Sequence, residues 1–299
     1  MTSIYCLRVI TTYACNLACS FCHREGIYSE SRDEIGLKQF SNIMIGFKKF
    51  NLQKIKFVGG EPLLSQSILE YVRVAHNVGL PDIGITTNGT NTKGIIKIAK
   101  ECSFINFTVS VPDLNPSNYR KLTGSDTLSN TIRSLEALRQ IDAKITVNYI
   151  IDTQDRVNIS LLFNIQELWK YTNRIKLVVL CKSPYSSKYE NQEYIIESLK
   201  KILIENGYSY ARDNVNHIEY TDRKNRSLLI TVPYCPVLCR TLQRIYPTLR
   251  LTPDNYLKPC FLQNTDNIKI PSDVPGIEIA IREALVSTLK CRLQDHSND

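Results

Sequence analysis

The sequence predicts an α/β fold with a parallel sheet, and two observations indicate it. Short apolar, β-branched runs alternate along the chain with helical patterns, which is typical of consecutive βα units. In one helical pattern, Leu128, Ile132, Leu135 and Leu138 recur on a single face, as a helix that packs on a sheet requires.

The predicted elements follow this alternation up to about residue 208. Strands are predicted over residues 5–11, 54–58, 82–86, 104–109, 145–151 and 175–180. Helices are predicted between them over residues 33–50, 67–77, 93–100, 127–140 and 156–171. Beyond them the pattern changes to short strands and loops, with a strand over 227–232 and a last helix over 277–293. We therefore divide the chain into a core, 1–208, and a C-terminal region, 209–299, that packs against it.

The composition is that of an ordinary soluble protein, with 43 % hydrophobic and 22 % charged residues among 299. No apolar stretch approaches the roughly 18 to 20 residues of a membrane span, and the N-terminus lacks the pattern of a signal peptide. We therefore expect a cytoplasmic protein without a membrane partner. The net charge of +8 suggests an anionic ligand, and because the basic residues are scattered, a nucleotide suits it as well as a nucleic acid.

The ten cysteines are unevenly distributed along the chain. Disulfides are rare in a reducing compartment, so ligation of a metal or a cluster explains their number better. Six of them form two tight groups: Cys15, Cys19 and Cys22, and then Cys235, Cys239 and Cys260. The other four lie singly in apolar surroundings and are predicted to be buried or idle thiols: Cys6, Cys102, Cys181 and Cys291.

The first cysteine group follows the first predicted strand with the spacing C-x-x-x-C-x-x-C. Thiolates so close together curl around one centre, and three are one fewer than the four that close a tetrahedral zinc or iron–sulfur site. An iron at such a site keeps one position for an exchangeable ligand. The alternatives are half of a structural zinc site completed by His23, and a chance cluster.

Polar loops follow the next predicted strands, at the edge of the sheet where parallel α/β proteins carry their chemistry. The second strand is followed by Gly59-Gly60-Glu61-Pro62, in which the glycines let backbone approach a ligand and the carboxylate suits an ammonium group. A tight turn before a helix is the alternative for this stretch. The loops after the third and fourth strands contain Thr87-Asn88-Gly89, and Ser110 with Asp113.

The cysteine spacing followed by Gly-Gly-Glu-Pro resembles the radical S-adenosylmethionine (SAM) superfamily. The resemblance implies a partial (β/α)6 barrel in which Cys15, Cys19 and Cys22 hold a four-iron four-sulfur (4Fe-4S) cluster, whose fourth iron binds the amino and carboxylate groups of SAM. It also implies a set of SAM-binding residues: Gly59, Gly60, Glu61, Thr87 and Ser110. For the last two, a capping or turn role is the alternative.

Five further stretches narrow the resemblance to the archaeal branch of the GTP 3',8-cyclase family of molybdenum cofactor biosynthesis: 22–26, 86–89, 109–111, 115–124 and 250–260. The family implies a second 4Fe-4S cluster, which holds the guanine of GTP, on Cys235, Cys239 and Cys260. A structural zinc or cluster is the alternative there. The implied GTP-binding positions are Arg8, Lys176 and Arg250. The implied reaction is that of a lyase, converting GTP to 3',8-cyclo-7,8-dihydro-GTP with an external one-electron donor, in a monomer or homodimer that binds no nucleic acid.

Several departures from the family pattern leave the substrate open. Cys235 and Cys239 are separated by three residues where the family usually has two, and Thr146 and Lys176 stand where a Lys and an Arg are expected. They motivate a second hypothesis, a radical SAM enzyme with an auxiliary cluster that modifies a peptide or another small metabolite. A third hypothesis, a nucleic-acid binder that carries a cluster or zinc, is favoured by the pI of about 8.9 and the 16 tyrosines.

Overall fold

The computed structural model describes residues 3–27, 29, 33–180, 192–214, 217–231, 246–260 and 267–290. The first six strands are β1 (Cys6–Ile10), β2 (Lys54–Val58), β3 (Asp82–Thr87), β4 (Asn106–Ser110), β5 (Lys144–Ile151) and β6 (Arg174–Val179). They pair in sequence order, and every pair is parallel. The predicted α/β fold with a parallel sheet is therefore confirmed, with strand ends that shift by at most a few residues.

Helices connect the six strands and cover one face of the sheet. Five agree with the predicted helices: α1 (Leu37–Lys48), α2 (Ile68–Asn77), α3 (Thr92–Glu101), α5 (Leu128–Gln140) and α6 (Ile159–Leu168). The last described helix, α8 (Val274–Lys290), packs on α1 and was predicted to begin three residues later. No helix in the described part of the chain has both the length and the apolar character needed to cross a membrane.

Two helices, α4 (Pro116–Thr123) and α7 (Gln192–Glu205), are absent from the sequence prediction. The local signals for α4 are strong, since the side chain of Asn115 accepts hydrogen bonds from the first turn, Pro116 opens the helix and Gly124 ends it with φ of 71°. Helix α7 buries Ile195, Leu199 and Leu203 along one face, which is the period of 3.6 expected of an amphipathic helix.

The strands after residue 208 extend the sheet at both ends. They are β7 (Ser209–Asn214), β8 (His217–Thr221), β9 (Ser227–Thr231), β10 (Thr248–Leu251), β11 (Tyr256–Lys258) and β12 (Ile268–Lys269). Within the described ranges the twelve strands have the order β12-β11-β10-β1-β2-β3-β4-β5-β6-β9-β8-β7. Strand β10 is parallel to β1 and β9 is parallel to β6, so neither β1 nor β6 is an edge. The division of the chain at residue 208 stays a prediction.

Side chains alternate between the two faces of the sheet. Leu7 and Val9 of β1 are fully buried in the core beneath the helices, together with Ile55 and Phe57 of β2. The residues between them point to the opposite side, which we call the inner face. Several inner-face positions are polar or charged: Arg8, Lys56, Thr108, Thr146, Asn148, Lys176 and Arg250. A polar face enclosed by a curved parallel sheet is where a ligand binds in such folds.

Candidate active site

The three cysteines of the first group surround one cavity. They lie in the cysteine loop, residues 11–27, which follows β1 directly. Cys15, Cys19 and Cys22 line a cavity of about 300 Å³ whose opposite wall includes Gly59 and Gly60. The loop after β1 and the loop after β2 thus meet at the carboxyl edge of the sheet, as the sequence predicts.

The thiols of this group are tuned by burial and by backbone hydrogen bonds. The N–H of Leu17 donates to the Sγ of Cys15, and the N–H of Arg24 donates to the Sγ of Cys22, each at 3.4 Å. Burial raises the pKa of Cys19 to about 12, and the neighbouring thiols of Cys22 and Cys15 add to the rise. The Cys19 thiol is therefore protonated at neutral pH, and metal ligation would release its proton.

The donor set fits a cluster better than a single metal ion. Within the described residues no three Cys, His, Asp or Glu side chains come close enough together to hold one ion. His23, the fourth ligand of the zinc alternative, accepts a hydrogen bond at Nδ1 from the backbone N–H of Glu25 at 3.0 Å. Three thiols spread around a 300 Å³ cavity suit a group as large as a 4Fe-4S cluster.

The two glycines after β2 are required by the close approach of two backbones. The N–H of Gly60 donates to the carbonyl of Thr12, and the N–H of Glu61 donates to the carbonyl of Ala14, both at 2.8 Å. A Cβ on Gly60 would lie 2.0 Å from the oxygen of Ala14. A Cβ on Gly59 would lie 2.4 Å from that of Thr12, and Gly59 has φ of +139°, which favours glycine.

The carboxylate of Glu61 is buried and accepts three hydrogen bonds from other residues of the chain. Its Oε1 accepts hydrogen bonds from the hydroxyl of Thr87 at 2.6 Å and the N–H of Leu63 at 3.1 Å, and its Oε2 accepts one from the N–H of Asn88 at 2.7 Å. Burial raises the pKa of Glu61, and these hydrogen bonds oppose the rise. Glu61 does not line the cysteine cavity, whereas Gly59 and Gly60 do. The SAM-binding roles of these residues stay predictions.

Asn88 connects the loop after β3 to the cysteine loop, a role that the sequence analysis did not assign. Its side-chain amide donates to the Oδ1 of Asn16 at 2.9 Å, and the amide of Asn16 donates to the hydroxyl of Thr90 at 2.8 Å. The carbonyl of Asn88 accepts a hydrogen bond from Thr131 at 2.9 Å. The loops after β1, β2 and β3 therefore form one hydrogen-bonded unit around the cysteine cavity.

Ser110 and Asn148 are register partners at the carboxyl ends of β4 and β5. The Oδ1 of Asn148 is buried and has no hydrogen-bond partner in the described part of the chain. A buried amide oxygen without a partner is costly and is rare in folded proteins. Asn148 is therefore a candidate ligand-binding residue beside Ser110, and its unpaired state is visible only in the structure.

A second, larger cavity of about 550 Å³ opens on the inner face toward the amino ends of the strands. Its basic lining residues are Lys54, Lys56, Arg139, Lys144, Arg174 and Lys176. Lys54 forms an ion pair with Asp82, whereas Lys56 and Lys176 have no ion pair within the described residues. Burial, reinforced by neighbouring cations, lowers the pKa of Lys56 to about 8 and that of Lys176 to about 7. This cavity is suited to an anion, and Lys56 was missed although it is the register partner of Arg8.

Arg8 and Arg250, two of the predicted GTP-binding residues, lie side by side on β1 and β10 as register partners. Both contact Glu25 of the cysteine loop. The Nε and Nη2 of Arg8 donate to its two carboxylate oxygens, with 2.9 Å for Nε, and the Nε of Arg250 donates to Oε2 at 3.2 Å. The structure thus places these two arginines side by side. It also shows that both contact Glu25, which the sequence identifies only as part of the stretch 22–26.

The second cysteine group is only partly described. Cys260 follows β11 and is half-buried, whereas Cys235 and Cys239 lie outside the described residues. Near Cys260, the fully buried Lys258 donates a hydrogen bond from Nζ to the carbonyl of Gly26 at 2.7 Å. The second cluster stays a prediction, but Cys260 is carried by a strand pair that contacts the cysteine loop.

The sequence of the chain is similar to known proteins over most of its length. A family model described as the radical SAM superfamily matches residues 9–158. A probable GTP 3',8-cyclase of Sulfurisphaera tokodaii is 28 % identical over 278 residues, covering 92 % of this chain and 86 % of that protein. A probable GTP 3',8-cyclase of Methanocaldococcus jannaschii is 29 % identical over 276 residues, covering 88 % of this chain and 86 % of that protein.

Solved structures share the fold at low sequence identity. SuiB of Streptococcus suis, bound to S-adenosylmethionine, superposes with a TM-score of 0.67 at 15 % identity, over 90 % of this chain. The match spans 63 % of the SuiB chain. The enzyme anSMEcpe with bound AdoMet gives a TM-score of 0.64 at 14 % identity, over 96 % of this chain and 82 % of that one. These likenesses confirm the predicted TIM-like partial barrel.

Proposed function

The chain belongs to the radical SAM superfamily, and on that premise we propose that it is a GTP 3',8-cyclase, which converts GTP to 3',8-cyclo-7,8-dihydro-GTP in molybdenum cofactor biosynthesis. Its archaeal relatives with the name of probable GTP 3',8-cyclase support the proposal along nearly the whole chain. A cytoplasmic monomer or homodimer, supplied with electrons by an external donor, belongs to the same proposal.

The observation that carries the substrate assignment is the pair of lysines without ion pairs, Lys56 and Lys176, in the cationic inner-face cavity. Two half-buried ammonium groups that repel each other raise the free energy of the empty site, and a polyanion between them removes that cost. A triphosphate supplies enough negative charge for both. A neutral peptide segment does not, so this cavity favours the nucleotide over the peptide alternative.

The two cavities suggest how substrate is oriented. The cysteine cavity lies at the carboxyl ends of the strands, beyond Ile10 and beside Gly59, while the cationic cavity lies nearer their amino ends, beside Lys54 and Arg174. A GTP molecule that anchors its phosphates in the cationic cavity would direct its ribose toward the cysteine loop. The sheet and the three joined loops would exclude water from the reacting atoms.

In this proposal Cys15, Cys19 and Cys22 hold the first 4Fe-4S cluster. When bound, that cluster would supply the electron for cleavage of SAM to methionine and a 5'-deoxyadenosyl radical, the species that would take the hydrogen from C3' of the ribose. The backbone of Gly59 and Gly60, which lines the cysteine cavity and packs against the backbone of the cysteine loop, would bind the methionyl end of SAM. Glu61 and Thr87 position that backbone through their hydrogen bond.

The C-terminal region completes the proposal with a second 4Fe-4S cluster on Cys235, Cys239 and Cys260. It would hold the guanine of GTP. The hydrogen bond between Lys258 and the carbonyl of Gly26 supports a fixed spacing between Cys260 and the cysteine loop. Arg8 and Arg250, held by Glu25, would lie beside the substrate phosphates.

An anaerobic assay of the iron-reconstituted protein with SAM, dithionite and GTP tests the proposal. We expect about eight irons per chain, together with formation of 5'-deoxyadenosine and cyclised GTP. The Cys15→Ala variant should lose both products, and the Cys260→Ala variant should keep deoxyadenosine formation but lose the cyclised nucleotide. Deoxyadenosine without any change in GTP would retain the superfamily chemistry, refute the cyclase assignment and favour the peptide or small-metabolite hypothesis.

A further inference from the structure

Glu25 lies in a strained turn directly after the cysteine group. Its φ of 52° and ψ of 24° are in the left-handed region, which a glutamate adopts at a cost, and its side chain is almost completely buried. Burial favours the neutral acid, but Arg8, His23 and Arg250 outweigh it and hold the pKa of Glu25 well below its usual range. The carboxylate is therefore charged at every physiological pH.

The position of this carboxylate relative to the two arginines is specific. Arg8 and Arg250 face each other across adjacent parallel strands, so their guanidinium groups would repel each other if nothing lay between them. Glu25 accepts two hydrogen bonds from Arg8 and one from Arg250. Glu25 thus places one negative charge between the two guanidinium groups and occupies a donor edge of each arginine.

We propose that Glu25 is a positioning residue for the substrate, a built-in counter-charge that limits the affinity of the inner face for phosphates and fixes the edge that each arginine presents to them. The inference rests on the proposed function only in taking a triphosphate as the ligand. Because Glu25 blocks one edge of Arg8 and of Arg250, a bound triphosphate has fewer alternative positions. The triphosphate therefore binds more weakly, but in a single position relative to the two arginines.

The turn that contains Glu25 also fixes the position of the cysteine loop relative to the two arginines. The carbonyl of Gly26 accepts the hydrogen bond from Lys258, and at the other end of the loop the hydroxyl of Tyr13 donates to Asp254 at 3.0 Å. Lys258 and Asp254 belong to the strand pair β10–β11 and its turn, as Arg250 does. Glu25 therefore connects the residues that bind phosphate to the loop that carries the radical-forming site.

The Glu25→Gln variant separates this role from a general contribution to folding. It keeps the shape of the side chain and removes the charge. We expect its dissociation constant for inorganic triphosphate, measured by calorimetry on the reconstituted protein, to fall by about threefold to tenfold. We also expect fewer molecules of cyclised GTP per molecule of 5'-deoxyadenosine formed, since the phosphates can now bind in more than one position. The matched control is Glu101→Gln, which removes a carboxylate from the exposed ion pair with Arg73 and should change neither quantity.

If Glu25→Gln alone does not fold, the same substitution can be compared in the Arg250→Gln background. Arg250→Gln should weaken triphosphate binding by about threefold to tenfold, and adding Glu25→Gln to it restores the net charge of the pair and should restore the affinity. If Glu25→Gln leaves the affinity unchanged or weaker in both backgrounds, the counter-charge role is wrong. This result is independent of the cyclase assignment, because triphosphate affinity is measured without turnover. A wild-type protein that binds triphosphate but does not cyclise GTP would refute only the assignment.

Discussion

The hydroxyl of Thr87 lies 2.6 Å from Oε1 of Glu61, so the loop after β3 and the loop after β2 share one buried carboxylate. The N–H of Asn88 completes the link on Oε2 at 2.7 Å. Both oxygens of Glu61 act as acceptors, which an amide in the same place cannot do. The position of the Gly59–Gly60 backbone thus depends on the charge state of a residue that does not itself line the cysteine cavity.

Replacing Glu61 with Gln should destabilise this link. The amide group of Gln presents a donor to one of the donors now bound by Glu61, and an unpaired buried N–H costs about 1–3 kcal/mol. We expect a lower free energy of unfolding in urea and weaker SAM binding by equilibrium dialysis. The control Glu136→Gln changes an exposed carboxylate of α5 and should leave both unchanged. Normal SAM affinity in Glu61→Gln would show that the link does not position the SAM site.

Replacing Gly60 with Ala should displace the loop after β2. The added Cβ would meet the carbonyl oxygen of Ala14 at 2.0 Å, and this neighbour is backbone, so it cannot rotate away. We expect loss of at least about fivefold in SAM affinity, because overpacking at such a contact costs roughly 1–3 kcal/mol. Gly36→Ala is the matched control, since a Cβ there has nothing within 4 Å. Equal SAM binding by the two variants would contradict the requirement for glycine at position 60.

Binding of GTP should weaken as the pH rises from about 7 to 9. Burial lowers the pKa of Lys176 to about 7 and that of Lys56 to about 8, so both lysines lose their charge over this interval. The sign follows directly, because a bound anion favours the protonated lysines, and binding is therefore accompanied by proton uptake. Calorimetry in buffers of different ionisation enthalpy measures that uptake.

A control for this pH dependence is the Lys176→Arg variant. Arginine stays charged throughout the interval, so the affinity for GTP should depend less on pH while its value near pH 6.5 changes little. An affinity that rises with pH in the wild-type protein, or proton release on binding, would contradict the assignment of these lysines to the phosphates.

Asp113 should contribute more to stability than an ordinary surface acid. Its carboxylate accepts hydrogen bonds from the N–H of Asn115 at 2.7 Å and the amide of Asn118 at 3.1 Å, and it pairs with Arg156 at 3.1 Å. We expect Asp113→Ala to lower the free energy of unfolding by about 2–3 kcal/mol, because it removes these hydrogen bonds and leaves the half-buried Arg156 with Asp152 as its remaining ion-pair partner.

Asp126→Ala is the control for that measurement. Asp126 pairs with Arg120 at 3.5 Å, but both side chains are about 70 % exposed, so the change should stay within about 1 kcal/mol. Equal losses of unfolding free energy in the two variants, measured in urea, would contradict a larger stabilising contribution from the Asp113–Arg156 pair.

Much of the fold follows from local patterns that act within one element. The alternation of apolar runs and helical faces predicts β1 to β6 and the helices between them because each strand and helix is buried on its own core face. Helix α4 was missed although Asn115, Pro116 and Gly124 mark both its ends. The addition of β9 beside β6 and of β10 beside β1 depends on tertiary pairing, which no local pattern encodes.

The candidate site divides in the same way. The cysteine loop and the Gly59–Gly60 loop could be predicted from spacing alone, since both follow predicted strands. The binding of Arg8 and Arg250 to Glu25, the acceptor role of Glu61 and the unpaired oxygen of Asn148 could not. Each of these depends on side chains that are distant in sequence and that meet only when the sheet forms.

Strand β10 lies far along the chain from β1, so the two strands can pair only late in synthesis. Strand β1 ends at Ile10, but its partner on one side begins at Thr248, so that side stays unpaired until most of the chain has left the ribosome. An unpaired strand in which every residue but Arg8 is apolar is a template for association with other chains. During translation the nascent protein therefore carries an open strand edge next to its cysteines, and a chaperone that shields this edge would raise the yield of folded protein.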